Sequence, residues 1–297
     1  MKTFLKVGVL SSAALLLAAC DALDPESNKN KFYYSNPTNS TITFKIDDKD
    51  YTIEPGINGS VKLSPGVHYL YDNKGNKSTF MVLEHNNGGI LNPNNYMYYT
   101  LSEVYALKGQ ADRFMPAEYE VTINGHELEM PLRSSNAAVI DGNVFNCQFP
   151  LGKPFPEEIN LYDKKSQGKI TSKCFDKPEL LQYFLTEYDE KFTPDTKADE
   201  NNDTVNTVLD YTLPEPKFKH ADVQKEAEKL VSLLNQIKSS DNPDIYDKFR
   251  EKINQAYTDL SETYQKYSPQ DTVEEHKYFD KFVSEINQFQ RFGLFIK

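Results

Sequence analysis

Acid–base and metal chemistry near neutral pH most often uses histidine, and the chain has five: His68, His85, His126, His220 and His276. No two stand three or four residues apart, the spacing that would set both on one helical face around a metal ion. His126-Glu127-Leu128-Glu129-Met130 starts like a zinc-protease signature, but Met130 stands where the second histidine is needed. The spacing closest to a metal site is Asp199-x-Asn201-x-Asp203, with Asp210 at the last position of a calcium-type loop. Thr204 replaces the turn glycine of such a loop, and Asp210 replaces its bidentate glutamate; a solvated linker is the competing reading. No nucleophile elbow, phosphate-binding loop or dinucleotide fingerprint occurs. No catalytic residue, metal or other cofactor is therefore assigned.

Two further sets of residues have chemical potential. Cys147 and Cys174 form an even pair once Cys20 is set aside, and in an oxidising compartment they are a candidate disulfide. Neither belongs to a C-x-x-C pair, so thiol-redox catalysis has no support. Tyr96, Tyr98 and Tyr99 follow a stretch rich in Asn and Gly. They read either as a ligand or partner surface or as a loop whose rings pack on a neighbouring sheet.

The amino terminus carries the most specific signal. Lys2 and Lys6 precede an apolar stretch from Val7 to Ala19, and no acidic residue occurs before Asp21. The stretch is shorter than the roughly 20 residues a membrane-spanning helix needs, which makes it a secretory signal peptide. Leu17-Ala18-Ala19-Cys20 resembles the lipobox of bacterial lipoproteins. That resemblance implies acylation of Cys20, cleavage before it, and a membrane partner reached through the lipid. Asp21 resembles the enteric signal for retention at the inner membrane, although Ala22 follows it. The periplasmic face of either membrane and the cell surface all stay open.

The formal net charge is −11, and loss of Lys2 and Lys6 makes the mature chain more acidic still. Such a balance argues against nucleic-acid binding and suits solubility near anionic lipid, or a basic partner.

The elements that must position these residues give an α+β chain: antiparallel β-sandwich-like modules followed by a helical bundle. We expect a signal peptide over 1–19, a lipidated tether over 20–30 and a β-sandwich-like module over 31–108. A second β-rich module ending in a helix follows over 109–189, then a linker over 190–217 and a three-helix bundle over 218–297. Ile42, Phe44 and Ile46 alternate as strand residues do, and the Asp47–Asp50 cluster reads as a hairpin turn. Asn124-Gly125 is a second hairpin signal. Val144-Phe145 reads as a short strand. Val61 to Tyr69, with Leu63-Ser64-Pro65-Gly66-Val67-His68, resembles a turn of PEGA-like and other Ig-like surface modules. Asp176 is the expected cap of a helix over Pro178–Tyr188. In the final stretch, Val223, Ala227, Leu230, Leu234 and Ile237 mark one helix. A second is expected to open at Asn242-Pro243, and a third near Asp271 with Val273 on its buried face.

These readings favour a non-enzymatic envelope lipoprotein that binds another macromolecule, with an inhibitor or immunity protein as a specific version. Two alternatives stay open: an envelope hydrolase or glycan-modifying enzyme using dispersed carboxylates, and a small-ligand binder using the tyrosines.

Overall fold

The computed structural model describes residues 28–156, 158–159, 167–209 and 211–297. Six short strands come first: β1 (Lys31–Ser35), β2 (Ile42–Ile46), β3 (Lys49–Ile53), β4 (Asn58–Lys62), β5 (Gly66–Tyr71) and β6 (Lys77–Val82). In β2 the period of two is plain, with Ile42, Phe44 and Ile46 buried and Thr43 exposed. The β2–β3 turn sets Asp47 at φ 53°, a conformation that aspartate tolerates better than most residues. The Asp47 carboxylate accepts the Tyr69 N–H at 2.9 Å and meets His68 Nδ1 at 2.8 Å. His68 Nε2 reaches the Ser64 carbonyl at 2.7 Å, so the Pro65-Gly66 turn is pinned to the neighbouring hairpin.

The chain continues through β7 (Gly89–Leu91), β8 (Tyr98–Ala106), β9 (Tyr119–Ile123), β10 (His126–Met130), β11 (Leu132–Ser135) and β12 (Val139–Asp141). A single helical turn, α1 (Gly142–Phe145), precedes β13 (Gly168–Asp176) and α2 (Lys177–Tyr188). Val144 and Phe145 are thus helical rather than a strand, because Asp141 caps the turn by accepting the Asn143 N–H. Three long helices follow, α3 (Ala221–Ser239), α4 (Ile245–Tyr267) and α5 (Val273–Arg291), and β14 (Leu294–Ile296) closes the chain.

Two sheets face each other. One has the order β12-β7-β1-β4 and the other β14-β6-β5-β2-β3. Phe32 of β1 meets Phe80 of β6 with ring centroids 6.1 Å apart, and Tyr34 meets Phe44 at 5.2 Å. Most pairs are antiparallel, but β1 and β7 run parallel. A parallel neighbour needs a long return path, and here the whole of β2–β6 supplies it. Each sheet is completed from far along the chain, by β12 in one and β14 in the other.

A smaller layer has β8 at its centre, flanked by β11 and β13, with the β9–β10 hairpin beside it. Asn124 and Gly125 both take positive φ, 52° and 84°, as a two-residue hairpin turn of this sequence requires. Asp176 caps α2 by accepting the Glu179 N–H at 3.0 Å. Leu180 and Phe184 of α2 then pack on Tyr99, Leu101 and Phe175 in a separate small core.

The five residues expected to face inward from α3 are all buried. Each of Val223, Leu230, Leu234 and Ile237 contributes about 1.5–3 kcal/mol on leaving water, more than any helix propensity here could supply. Two helix starts differ from expectation. Asn242 Oδ1 accepts the Asp244 N–H at 3.0 Å, so Asn242-Pro243 make a turn ahead of α4. In α5 the capping box is Thr272 with Glu275, one residue beyond the start expected at Asp271, which leaves Val273 in the first turn and 68% exposed. The bundle does not stand apart: Ile286 and Phe289 of α5 share one buried cluster with Phe80 and Val82 of β6. Among the described residues, no helix is long and apolar enough to cross a membrane.

Candidate functional site

Leu17, Ala18, Ala19, Cys20, Asp21 and Asp210 lie outside the described residues. Cys147 and Cys174 are joined by a disulfide with Cα atoms 5.1 Å apart. It ties the segment after α1 to β13, the strand that carries α2.

The tyrosine surface does not form. Tyr98 and Tyr99 are 1% and 0% exposed, because β8 is the central strand of its layer and both its faces are covered. The Tyr98 hydroxyl is 3.1 Å from Ser35 Oγ, and burial raises the ionisation range of both phenols. Tyr96 is half-buried against the main core.

The calcium-loop residues do other work. Asp199 Oδ2 accepts the Thr196 N–H at 2.9 Å. Asp203 accepts the Asn124 N–H at 2.9 Å and pairs with Lys177 Nζ at 2.7 Å. Asn201 is exposed in the short turn between them. The stretch expected as a linker is therefore a strap across the β9–β10 hairpin. Its Thr204 Oγ1 accepts the Thr122 N–H at 2.7 Å, and Ser134 Oγ–H donates to the Thr204 carbonyl at 2.6 Å. Short polar side chains here replace strand pairing as partners for the backbone. Among the described residues, no three His, Cys, Asp or Glu side chains are placed to hold a metal ion.

The feature with binding geometry lies elsewhere. A groove of about 1080 Å³ runs between the β9–β11 layer and α5. On one wall stand Tyr119, Arg133, Val144 and Asn146, with Thr207 and Val208 of the strap. On the other, Asp280, Val283, Ser284, Asn287, Gln288 and Arg291 recur at intervals of three and four, which is one face of a helix. From Asp280 to Arg291 this face spans about 16 Å at the α-helical rise.

Arg133 stands half-buried in the groove wall. Its Nε–H donates to Thr207 Oγ1 at 3.2 Å, and a terminal N–H donates to the Val144 carbonyl. The guanidinium lies over the Tyr119 ring at 5.8 Å and the Phe145 ring at 6.0 Å. Burial draws its ionisation range down; Tyr119 opposes this, and the like charge of Arg291 adds to it. Among the described residues neither Arg133 nor Arg291 belongs to an ion pair. Two neighbouring cations without a carboxylate partner favour an anion between them, and a guanidinium presents paired donors that match a carboxylate or phosphate.

Two other amides on the groove are already committed. Asn143 accepts the Asn87 N–H and donates to the His85 carbonyl, and Asn206 bridges Ser134, Glu120 and Leu132. Asn146, Ser284, Asn287 and Gln288 make no side-chain hydrogen bond among the described residues, which leaves them available to a ligand. Sequence reasoning missed this groove. The α5 side was open to view as the polar face of an amphipathic helix, but nothing local joins Arg291 to Arg133.

Compared with known protein families, curated proteins and solved structures, the chain matches none.

Proposed function

We propose that the chain is a lipid-anchored envelope protein that acts by binding rather than by catalysis, with the groove between β11 and α5 as its binding face. The observation that carries this reading is Arg133, a half-buried guanidinium with no carboxylate partner among the described residues, beside a second cation on a broad polar groove. The Leu17-Ala18-Ala19-Cys20 resemblance supplies the anchor. Among the described residues the groove has one carboxylate on its walls, Asp280, whereas glycoside hydrolysis ordinarily uses two.

Soluble residues 21–297, immobilised and exposed to envelope extract, test the reading. The expected result is a stoichiometric component retained by the natural sequence and lost by Arg291→Glu. Retention that is indifferent to Arg291→Glu removes the groove as the binding face. A folded bait that retains nothing removes macromolecular binding itself.

A further inference from the structure

We infer that the groove receives an extended acidic peptide segment of a partner protein, its carboxylates seated on Arg133 and Arg291. This rests on the binding reading above and names the ligand chemistry.

The groove is polarised. Arg291 stands at one end of the α5 face with Arg133 close enough to feel its charge, and Asp280 stands about three helical turns from Arg291. In a chain with a net charge of −11, this is a local concentration of positive charge that no carboxylate pairs among the described residues. An anion entering it meets a guanidinium already partly stripped of water, so its attraction is less screened than on an open surface. A span of about 16 Å corresponds to roughly five residues of extended chain, far more than one phosphate or carboxylate would need.

The remaining lining distinguishes between linear ligands. Ser284 and Asn287 offer both donors and acceptors along the helix, as a peptide backbone requires of its partners. Sugar rings instead favour exposed aromatic faces. The aromatic ring on these walls, Tyr119, already has the Arg133 guanidinium over it. An acidic peptide also uses the end asymmetry: its carboxylates belong near Arg291, and a neutral or basic residue belongs near Asp280.

Fluorescence anisotropy on soluble residues 21–297 tests this, using a short labelled peptide of alternating glutamate and alanine. A lysine–alanine peptide of equal length, oligogalacturonate and inorganic phosphate serve as competitors. The acidic peptide should bind, and added salt should weaken it. Arg291→Gln should weaken binding about tenfold, the loss expected for one charge-assisted contact. Arg250→Gln should leave binding unchanged, since Arg250 lies on α4 and pairs with Asp247. Arg133→Gln removes contacts that also support the fold, so the exposed Arg291 carries the decision, with a thermal melt to show that its variant is folded. Unchanged affinity in folded Arg291→Gln overturns the inference. Displacement by oligogalacturonate at lower concentration than by unlabelled acidic peptide replaces it with an acidic glycan. Full displacement by millimolar phosphate reduces it to a simple oxyanion site. If the acidic peptide fails to bind while Arg291→Glu still loses the envelope component, the binding reading stands and the peptide inference falls. If both fail, both fall.

Discussion

The carboxylate of Asp141 accepts a hydrogen bond from the backbone N–H of Gly293 at 2.7 Å, across 152 residues of sequence. It also accepts from Leu294 at 3.3 Å and from Asn143 at 2.9 Å, with no exposure to solvent. One buried side chain thus caps α1 and holds the entry to β14, joining the end of the bundle to the sheets. Gly293 fits because it has no Cβ; one placed there would lie 2.4 Å from Asn143 Oδ1.

Burial pushes the Asp141 carboxyl up from 3.8 to about 7, against the three N–H donors that favour its charged form. Between those values the folded state binds the proton more tightly than the unfolded chain. Its contribution to stability is therefore full below about pH 4 and declines as pH rises towards 7. Asp141→Asn should flatten that part of the stability–pH curve in urea titrations. Asp141→Ala, which strands three buried N–H groups, should cost roughly 3 kcal/mol. A curve for Asp141→Asn that follows the natural protein's between pH 4 and 7 would refute this account.

The disulfide between Cys147 and Cys174 closes a loop with a sequence separation of 27. On the chain-entropy account, its loss should lower stability by about 3–4 kcal/mol. Replacing both cysteines with alanine and comparing chemical denaturation midpoints measures this; a change below about 1 kcal/mol would mean that the unfolded chain is little constrained by the bond.

Lys173 is buried in β13, its Nζ 2.6 Å from Glu179 Oε1 and 3.0 Å from the Cys174 carbonyl. Burial lowers the lysine's ionisation range and raises the glutamate's, while each partner opposes the other's shift. Removing one charge strands the other. Glu179→Gln should therefore cost about 3 kcal/mol, and the paired Lys173→Met, Glu179→Leu should recover much of that. A double variant no more stable than the single one would indicate that the pair's geometry, rather than its desolvation, dominates.

The anchor is tested in cells. Cys20→Ser should abolish incorporation of labelled fatty acid and leave unprocessed precursor on a gel. Normal labelling of that variant would place the lipid elsewhere or remove it from the account.

How much was legible in advance follows from how local each signal is. Val223, Ala227, Leu230, Leu234 and Ile237 marked a buried helical face because 3.6-residue periodicity is written within a few turns. Ile42, Phe44 and Ile46 did the same for β2, and Asn124-Gly125 for its hairpin, since turn chemistry resides in the residues that turn. Val144 misled because a short apolar pair has no period, and the Asp141 cap decided its conformation. The tyrosines left two readings open for a related reason: residue type does not say which face is covered, and only their strand's central place in a sheet buries Tyr98 and Tyr99 both.

The sequence by itself determined the α+β class, the helical faces and the tight turns, because these depend on residues within a few positions of one another. Tertiary structure alone decided that β12 and β14 complete the two facing sheets, that the Asp199–Asp203 strap is spent on a hairpin, and that Arg133 faces Arg291 across a groove. Those relationships join residues separated by tens to hundreds of positions, and packing and desolvation select them only when the whole chain has closed on its core.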